Sequence, residues 1–450
     1  MLKYKEYKSS SSAFDRKIPK HWDEYKISWL FDFRNDKNHP NEELLSVYLD
    51  RGVVSYSSTS QKQVHKPSED LSNYQLVMPG DFVLNNQQAW RGSVGVSQYR
   101  GIISPAYYVL KPRRDINPCF LNYAGRDKAV VDQFVIASKG VGSIQRQIYI
   151  PYLKNAVIQV PPKTEQDQIV RYLDWKVSEM NHMIHGMKSQ IRLLKEYRED
   201  IICQYTHKGL EEDRKMNPSE FPWIEGVPEG WAETRLKYVL TKLSRERKPE
   251  HELLICSNKG KVFFRGDSKM GLVADDDSIY QGVKAGDLLI HGMDTWHGAI
   301  AISDYDGMCT GVVHVCDTKE NKRFIMYYLQ SLAFKKVYKK ITNGVRENTS
   351  DFRSWDKAGQ INLLLPPIEE QNEIARILDE KNDQIEQLIA SLEQEIVFVE
   401  ELKTKTIADV ITGQVDVRDV VIPEYTTDDV EEFDSDDIDG ESEETDLDEE

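Results

Sequence analysis

Two long stretches of this chain place apolar residues at every third or fourth position. In the first stretch the series is Ile169, Leu173, Val177, Met180, Ile184, Met187, Ile191 and Leu194. In the second stretch it is Ile374, Leu378, Ile385, Leu388, Leu392, Ile396, Val399 and Leu402. Such spacing over several heptads predicts coiled-coil helices of roughly 40 residues each, about 60 Å long. Each helix is expected to end near a glycine, Gly209 or Gly413.

Both stretches open with one shared motif. PPKTEQDQIVRYLD begins at Pro161, and PPIEEQNEIARILD begins at Pro366. Proline disfavours helix in the residue before it and suits the first helical turn, so both helices are predicted to start here. A helix of this length must bury its apolar face. We therefore expect the two helices to pack on each other, antiparallel because a whole domain separates them. Ordinary bundle helices are the alternative that periodicity leaves open.

The duplication continues outside the helices. IPKHW at Ile18 returns as VPEGW at Val227, and NPCFLNY returns further on as NKRFIMY. Between these motifs PGDFVLNNQQAWRGSVGVS returns as AGDLLIHGMDTWHGAIAIS, so that Trp90 matches Trp296. The chain is therefore two copies of one unit, each a globular domain followed by a long helix.

Within each globular domain, short apolar runs such as DFVLN, GSVGVS and AYYVL alternate with Gly, Pro, Asn and Asp, which indicates strands and turns. The stretch RFIMYYLQSLAFKKVYKKI has helical spacing. We predict an α+β fold in which two mixed domains alternate with two long helices as a pseudo-two-fold internal repeat. The predicted segments are domain 1 at 1–160, helix 1 at 161–211, domain 2 at 212–365, helix 2 at 366–423 and a tail at 424–450.

Composition adds the cellular setting. The chain is 40% apolar but has no uninterrupted apolar run near twenty residues, which predicts no transmembrane helix. The N-terminal MLKYKEYKSSSS has no apolar stretch behind its charges, so no secretion signal is predicted. The five cysteines never form a CxxC pair and fit unpaired buried thiols in a reducing compartment. We expect a cytoplasmic protein.

The formal net charge of −17 is unevenly distributed along the chain. The last 27 residues hold 16 acidic and no basic residues, whereas residues 1–160 hold 22 basic and 15 acidic residues. Residues 212–365 hold 23 basic and 22 acidic residues. A tail this charged cannot bury a core and is predicted to be disordered. It would act as a solubilising segment or, alternatively, as a competitor for basic partner surfaces that resembles the charge of DNA.

Two groups of side chains could suggest metal binding or catalysis, namely Cys309, His314 and Cys316, and His291 with Asp294 and His297. The Cys-His spacing matches no usual zinc ligand set. The first repeat has Asn85 and Arg91 at the positions of the two other histidines, so a catalytic pair would have no counterpart there. We therefore predict neither a metal site nor a catalytic residue.

The order of globular domain, PP..EQ helix, globular domain and PP..EQ helix resembles the specificity (S) subunit of Type I restriction-modification systems. The stretches LLSVYLDRGVV, PGDFVLNNQQAWRGSVGVSQYRGIISPAYYVL and GSIQRQI, ahead of VPPKTEQ, resemble the target-recognition domain of that family. The resemblance covers residues 15–418 and leaves out the acidic tail. The second domain matches more loosely, since Cys309, Thr310 and Gly311 stand where the first has Ser104, Pro105 and Ala106.

The resemblance implies DNA recognition without catalysis by this chain. Each globular domain would be a target-recognition domain that reads one half of a bipartite double-stranded DNA target. The helices would form an antiparallel coiled coil that spaces the domains and docks two modification (methyltransferase) subunits, which would carry S-adenosylmethionine. Restriction subunits, with ATP-dependent translocase and nuclease activity, would join the full complex. No cofactor is expected on this chain.

Base reading needs hydrogen-bonding side chains on loops, and phosphate binding needs Lys or Arg. In the first domain the candidates are Asn85, Asn86, Gln87, Gln88, Arg91, Arg100, Lys139, Gln145 and Arg146. In the second domain they are Arg245, Arg247, Lys248, Lys259, Arg265, His291, His297, Asn343, Arg346 and Asn348. Trp90, Trp296 and the glycines beside them are predicted to be structural. The apolar helix residues named above are the candidates for coiled-coil and partner contacts.

Two other classes of protein stay open. A restriction nuclease or fused methyltransferase would need catalytic motifs, but the chain has no GxxxxGK[ST] loop, no glycine-rich nucleotide motif after a strand and no Asn/Asp-Pro-Pro-aromatic motif. A coiled-coil adaptor for protein interactions, without DNA recognition, is the second alternative. It would show no salt-dependent affinity for DNA, whereas phosphate contacts make such dependence unavoidable.

Overall fold

The computed structural model describes residues 3–12, 16–49, 51–56, 67–68, 70–139, 146–211, 213–221, 223–248, 250–266, 280–341 and 351–425. These residues group into two compact units. The first unit takes its residues from Met1–His185 and from the segment that begins at Glu395, and the second spans Gly186–Gln394. Each unit therefore contains one globular domain and a part of both long helices.

The first globular domain carries short helices and strands ahead of the first long helix. Its helices are α1 (Ile27–Leu30), α2 (Pro118–Arg126), α3 (Lys128–Ile136) and α4 (Ile150–Leu153). Its strands are β1 (Tyr7–Ser9), β2 (Lys17–Pro19), β3 (Asp23–Lys26), β4 (Phe31–Phe33), β5 (Leu45–Tyr48), β6 (Gly52–Ser55), β7 (Gln75–Val77), β8 (Phe82–Asn85), β9 (Val94–Val96), β10 (Gly101–Ile103), β11 (Tyr107–Pro112), β12 (Ser138–Lys139), β13 (Gln147–Ile148) and β14 (Val157–Val160).

The long helix α5 (Lys163–Lys208) follows, and the second domain repeats the order of elements. Its strands are β15 (Met216–Asn217), β16 (Val227–Pro228), β17 (Ala232–Arg235), β18 (Thr241–Lys242), β19 (Leu254–Cys256), β20 (Val262–Phe264), β21 (Gln281–Val283), β22 (Leu288–His291), β23 (Ile300–Ile302), β24 (Gly307–Cys309), β25 (Val313–Asp317) and β26 (Asn362–Leu365). Its helices are α6 (Leu236–Val239), α7 (Lys322–Phe334), α8 (Val337–Ile341) and α9 (Trp355–Ala358), and the second long helix is α10 (Ile368–Ile411).

Both domains are built on the same four-stranded antiparallel sheet. The strand order is β4-β11-β8-β9 in the first domain and β18-β25-β22-β23 in the second. A separate two-stranded pair, β3 with β14 or β17 with β26, joins the segment after each IPKHW-like motif to the strand that precedes each proline pair. The same topology in both halves confirms the predicted α+β internal repeat.

The long helices begin at their proline pairs and end beside the predicted glycines, although α10 stops at Ile411 and the predicted segment of helix 2 ran to 423. Each starts directly after its proline pair, and they run for 46 and 44 residues. Gly209 and Gly413 follow the helix ends with φ of 79° and 69°, a left-handed conformation that glycine adopts without strain. None of the helices in the described part of the chain is long and apolar enough to span a membrane.

Within each unit the two long helices pair antiparallel. In the first unit Lys403 Nζ on α10 donates to Asn181 Oδ1 on α5 at 3.1 Å. Earlier on α5, Gln168 Nε2 donates to the carbonyl of Val417, which lies beyond the end of α10. In the second unit Ile201 and Ile202, near the end of α5, share an apolar cluster with residues from the start of α10. The helix directions are therefore opposite in both units.

Most of the predicted apolar stripe is buried or half-buried. Ile169, Leu173, Met180 and Ile184 are buried on α5, as are Ile374, Leu378 and Ile385 on α10. Ile191, Leu194, Leu392 and Val399 are half-buried. Leu388 and Leu402 do not follow the prediction, since both are exposed, and Ile389 packs against the core in place of Leu388. After Ile385 the positions that face the core are spaced by four and then three residues. Because a helix turns by about 100° per residue, Leu388 lies to one side of that face.

The shared motif fastens each long helix to the domain before it. Glu165 is buried, and its carboxylate accepts hydrogen bonds from Tyr4 Oη at 2.6 Å and Trp22 Nε1 at 2.9 Å, while His21 Nε2 lies at 2.7 Å. Burial, and then the hydrogen bond to Glu165, raise the pKa of Tyr4, which keeps its hydroxyl a donor. Glu370 repeats the arrangement with Trp231 Nε1 at 3.0 Å and Arg214 Nη1 at 2.7 Å.

The glutamine beside each of these glutamates makes a second connection. Gln166 donates to the carbonyl of Pro161 and accepts from the amide of Asn117, at 2.8 and 2.9 Å. Gln371 donates to the carbonyl of Pro366 and accepts from the amide of Asn321, at 2.8 and 3.0 Å. Each glutamine thus ties the proline pair to the first residue of the motif NPCFLNY or NKRFIMY.

The Leu-Asp at the end of the motif completes the connection. Leu173 and Leu378 are fully buried. Tyr123 Oη donates to Asp174 at 2.9 Å, and Tyr327 Oη donates to Asp379 at 2.5 Å. The residues that the two copies of the motif share therefore make contacts within each unit, where they hold the long helix against the globular domain that precedes it.

We predict that Glu165→Ala lowers the free energy of unfolding of the first unit by about 3 kcal/mol, because it leaves buried donors on Tyr4 and Trp22 without an acceptor. Denaturant titration followed by hydrogen exchange in α2 and the first turns of α5 measures this effect. Glu179→Ala on the exposed face of the same helix is the matched control and should change stability by less than about 0.5 kcal/mol. Equal stability of the two variants would contradict the proposed role of Glu165.

Candidate nucleic-acid interface

Each globular domain presents a tryptophan on a tight turn between two sheet strands. Trp90 lies in a 3-10 turn, Ala89–Arg91, between β8 and β9, and Trp296 lies in Thr295–His297, between β22 and β23. Gly92 and Gly298 close these turns with φ of 102° and 83°. Only glycine takes this conformation at no steric cost, which explains the repeated Trp-x-Gly pattern.

The residue that ends the strand before each turn caps it. Asn85 Oδ1 accepts from the amides of Gln87 and Gln88 at 3.0 and 3.2 Å. His291 Nδ1 accepts from the amide of Asp294 at 3.0 Å, in the corresponding place. The two side chains thus perform one task, which gives a structural reason for the His291 position without any catalytic role.

Cations surround both tryptophan rings. The Arg91 guanidinium lies 4.8 Å and the Arg146 guanidinium 5.2 Å from the centre of the Trp90 ring. The Lys339 ammonium lies 4.2 Å from the centre of the Trp296 ring, and the tilted ring of His297 has its centre 3.6 Å from that of Trp296. Cation–π contacts hold long basic side chains in defined places at little cost to their charge. Each turn is therefore a cation–aromatic platform, with two arginines over the ring in the first domain and one lysine in the second.

A second cation–aromatic cluster stands near the first platform. Lys139 Nζ lies 3.8 Å from the centre of the Tyr149 ring and 5.1 Å from that of Tyr152, and both rings are partly exposed. Among the residues that the structure describes, Arg91, Lys139 and Arg146 form no ion pair with a carboxylate. Their charges are therefore available to an anionic ligand. Gln87 is exposed and Gln88 half-buried on the same turn.

Other predicted contact residues of the first domain are already engaged within the protein. Asn86 is buried, and its Oδ1 accepts from the amide of Ile148 at 3.0 Å. The Arg100 guanidinium binds Glu42, with Nη2 and Oε1 2.7 Å apart. Neither side chain is placed to read a base without first giving up these contacts.

In the second domain Arg245 is part of a buried ion pair that also exists in the first. Arg34 binds Asp81 through two hydrogen bonds, at 2.7 and 2.9 Å. Arg245 binds Asp287 in the same two-pronged way, through both terminal nitrogens. The aspartates are buried and follow Gly80 and Gly286 in the repeat. Arg34 was not among the predicted residues, and the shared Gly-Asp was the signal that could have indicated it.

The remaining predicted residues are scattered or undescribed. Lys248 and Lys259 are exposed, and Arg247 and Arg265 are half-buried, in the segment from β18 to the residue after β20. Gln145, Asn343, Arg346 and Asn348 lie outside the described residues, as do residues 426–450 of the acidic tail.

The cysteine thiols and the histidine that could suggest a metal site in the second domain are buried side chains of the fold. Cys309 and Cys316 are buried, and burial raises the pKa of each thiol to about 12. His314 Nε2 lies 2.6 Å from the carbonyl of Phe352, and burial lowers the pKa of this imidazole. Within the described part of the chain, no three His, Cys, Asp or Glu side chains are grouped so that they could hold a metal ion.

Comparison with known proteins gives one family. The family model of the Type I restriction modification DNA specificity domain matches twice, at residues 19–192 and 228–396. The two matches together cover more than half of the chain and coincide with the two halves of the repeat.

Two curated proteins of Methanocaldococcus jannaschii are similar along most of their length. One is assigned as the specificity subunit of the type I restriction enzyme MjaX and is 27% identical over 381 residues, 78% of this chain and 81% of that protein. The other is the type I restriction enzyme MjaVIII specificity subunit, 23% identical over 435 residues, 90% of this chain and 95% of that protein.

A chain solved in a study of complex assembly and conformational transition of the type I R-M system has a related fold. Its TM-score is 0.59 at 16% identity, over 89% of this chain and 100% of that one. At this identity the likeness shows the fold alone.

We predict that Arg34→Ala and Arg245→Ala each lower the free energy of unfolding by about 3 kcal/mol, because each leaves a buried aspartate without its cation. Arg91→Gln, at an exposed cation of the first platform, should leave stability within about 0.5 kcal/mol of wild type. Thermal and denaturant unfolding of the three variants measures the difference. An Arg245→Ala protein as stable as the Arg91→Gln protein would show that the ion pair is not structural.

Proposed function

Because the chain belongs to the family of Type I restriction modification DNA specificity proteins, we propose that each of its two recognition domains reads one half of a bipartite DNA target. The chain is a specificity subunit with two repeated recognition domains, and the finer assignment rests on its duplicated surfaces. The observation that carries the proposal is the pair of cation–aromatic platforms at Trp90 and Trp296. Such platforms suit phosphates and base edges together.

The difference between the platforms supports the reading of two different half-sites. The first turn offers Gln87, Gln88 and Arg91, which can bind adenine or guanine edges, and the second offers Asp294 and His297 in the corresponding places. Lys139 and Arg146 would add phosphate contacts in the first domain. The untested candidates Arg247, Lys248, Lys259 and Arg265 stay proposals for the second.

The chain is proposed to supply recognition and no catalytic step. The His291 imidazole, the most suggestive catalytic candidate, caps a turn as Asn85 does in the other repeat. Methyl transfer would belong to modification subunits that carry S-adenosylmethionine, and cleavage to restriction subunits of the full complex.

Exposed apolar side chains support docking of two modification subunits. In the first unit Met183, Phe398 and Leu402 are 59%, 57% and 50% exposed. In the second unit Leu388, Leu193 and Tyr197 are 54%, 56% and 50% exposed. Each member of one trio corresponds to a member of the other at a constant separation of 205 residues in the sequence.

We call these sets the first and second apolar trios. Exposed apolar side chains grouped on a helix pair favour contact with another protein. Because both trios repeat the same positions, the partner they fit is one that binds twice in the same way. The coiled coil between them would set the distance separating the two DNA half-sites.

The adaptor alternative has an observation in its favour, namely these same trios. It differs from the leading proposal in one respect, since an adaptor has no use for Arg91 and Arg146, which form no ion pair among the described residues and lie over the Trp90 ring. Salt-dependent DNA affinity distinguishes the two functions.

The test is genome-wide mapping of methylated bases in cells that express this chain with the modification subunit encoded beside it. We expect a motif of two short halves around a fixed gap, present only with this chain. The Arg91→Gln/Arg146→Gln variant should weaken or lose one half of the motif and keep the other. An assembled complex that adds no methylation, with a modification subunit active in other combinations, would favour the adaptor.

Docking is tested by changing one trio at a time. We predict that Phe398→Glu/Leu402→Glu reduces the assembly from two modification subunits to one, and that Leu193→Glu/Tyr197→Glu does the same. Both pairs together should abolish assembly, because each places charge on an apolar contact. Native mass spectrometry or analytical ultracentrifugation counts the subunits. Gln190→Glu and Gln387→Glu, exposed polar positions on the same helices, are the matched controls. Two bound subunits on either double variant would contradict the assignment.

A further inference from the structure

The acidic segment that follows α10 begins from a fixed point on the first unit. After Gly413 the chain continues along that unit, where Val415 and Val417 are buried in the core of the first domain. Gln168 Nε2 holds this stretch through the carbonyls of Val417 and Val420, at 3.0 and 2.9 Å. The point from which residues 426–450 depart is therefore anchored to the first recognition domain.

The last described stretch lies on the same unit, since the partly buried Val420 and Ile422 pack against the core of the first domain. Burial and the nearby Asp174 carboxylate raise the pKa of Tyr425. Residues 426–450 hold 15 acidic and no basic residues. An extended chain spans at most about 3.3–3.6 Å per residue, so these residues can reach on the order of 80 Å, more than the width of a domain of this size.

Charge selects the surface that this segment meets. Residues 1–160 hold seven more basic than acidic residues, whereas residues 212–365 hold only one more. The first domain is therefore the more cationic one and the one to which the segment is tethered. Its Arg91, Lys139 and Arg146 form no ion pair among the described residues and lie over partly exposed aromatic rings.

We propose that residues 426–450 bind in cis to the cationic platform around Trp90, Arg91 and Arg146, and compete there with the phosphates of DNA. The inference rests on the proposed DNA-recognition function and adds regulation of the same surface. A line of carboxylates without basic residues offers the platform what a DNA backbone offers, with no base edge to read.

The tether makes a weak interaction effective. A connection of this length gives a local concentration of the order of 1 mM. If the segment binds about as weakly as nonspecific DNA, with a Kd on the order of 0.1 mM, it lowers the affinity for every DNA about tenfold. Target DNA, bound far more tightly at the start, stays bound, whereas unrelated DNA is released. The recognised sequence is unchanged.

The test measures the affinity of assembled complexes of this chain and its modification subunit for an unrelated DNA duplex, by fluorescence anisotropy. The salt concentrations are about 50, 150 and 400 mM, chosen around the range of roughly 50–200 mM over which phosphate contacts weaken. Deletion of residues 426–450 should raise the affinity about tenfold at the lowest salt and little at the highest. A segment with every Asp and Glu changed to Asn and Gln should behave as the deletion does. A shuffled segment that keeps all its acidic residues should behave as wild type.

A second set of variants tests the location. In the Arg91→Gln/Arg146→Gln background, deletion should no longer raise the affinity, because the contested cations are absent. In the Lys339→Gln background, which removes the cation beside Trp296, the gain should persist. A gain that persists fully without Arg91 and Arg146 would overturn the assigned surface.

The outcomes separate the two levels of the inference. An effect of deletion below twofold at 50 mM salt, or a shuffled segment that behaves as the deletion, overturns the competition while target methylation shows that the recognition function stands. If neither the wild-type nor the deleted complex binds any DNA, the recognition function fails, and the competition fails with it.

Discussion

The buried carboxylate at the start of each long helix is the interaction on which the rest of the molecule depends. Glu165 accepts hydrogen bonds from Tyr4 and Trp22, and Glu370 from Trp231 and Arg214. A carboxylate taken out of water is tolerated only when its oxygens are satisfied, so the helix and the domain must meet in one relative position. The neighbouring glutamines and the Tyr-Asp pairs add further contacts at both ends of the same short stretch. A long amphipathic helix is thereby given a fixed orientation on the domain before it.

Within each unit, two different elements carry the two surfaces described above. The sheet carries the tryptophan turn, and the pair of long helices carries the apolar trio. Side chains on the turn can therefore change without disturbing the helix connection. The two domains show this outcome, since Arg91 and His297 differ while the glycine after each is unchanged and the buried Arg-Asp pairs are the same. The side chains on the turns thus differ between the two domains, while the contacts that support the turns are the same.

The charge distribution follows the same division. Cations near the tryptophan turns are held over aromatic rings, while the arginines that support the sheet are neutralised by buried aspartates. The acidic residues beyond α10 depart from the domain with the larger cationic excess. A chain with a strongly negative total charge can thus offer positive surfaces where nucleic acid would bind.

The sequence by itself determined the repeat, the α+β class, the start of each long helix at its proline pair and its end at Gly209 or Gly413. These follow from local rules, because proline, glycine and apolar periodicity act over a few residues. It also indicated the tryptophan turns, through glycines that a left-handed conformation requires.

Only the tertiary structure decided which polar residues were free. Asn86 and Arg100 resemble DNA contacts in the sequence but already bind Ile148 and Glu42, which lie far from them along the chain. Arg245 likewise forms an ion pair with Asp287, and Ile389 packs against the core in place of Leu388. The reason is physical: availability of a donor, and the side of a long helix that is covered, depend on partners brought together by folding and not on neighbours in sequence.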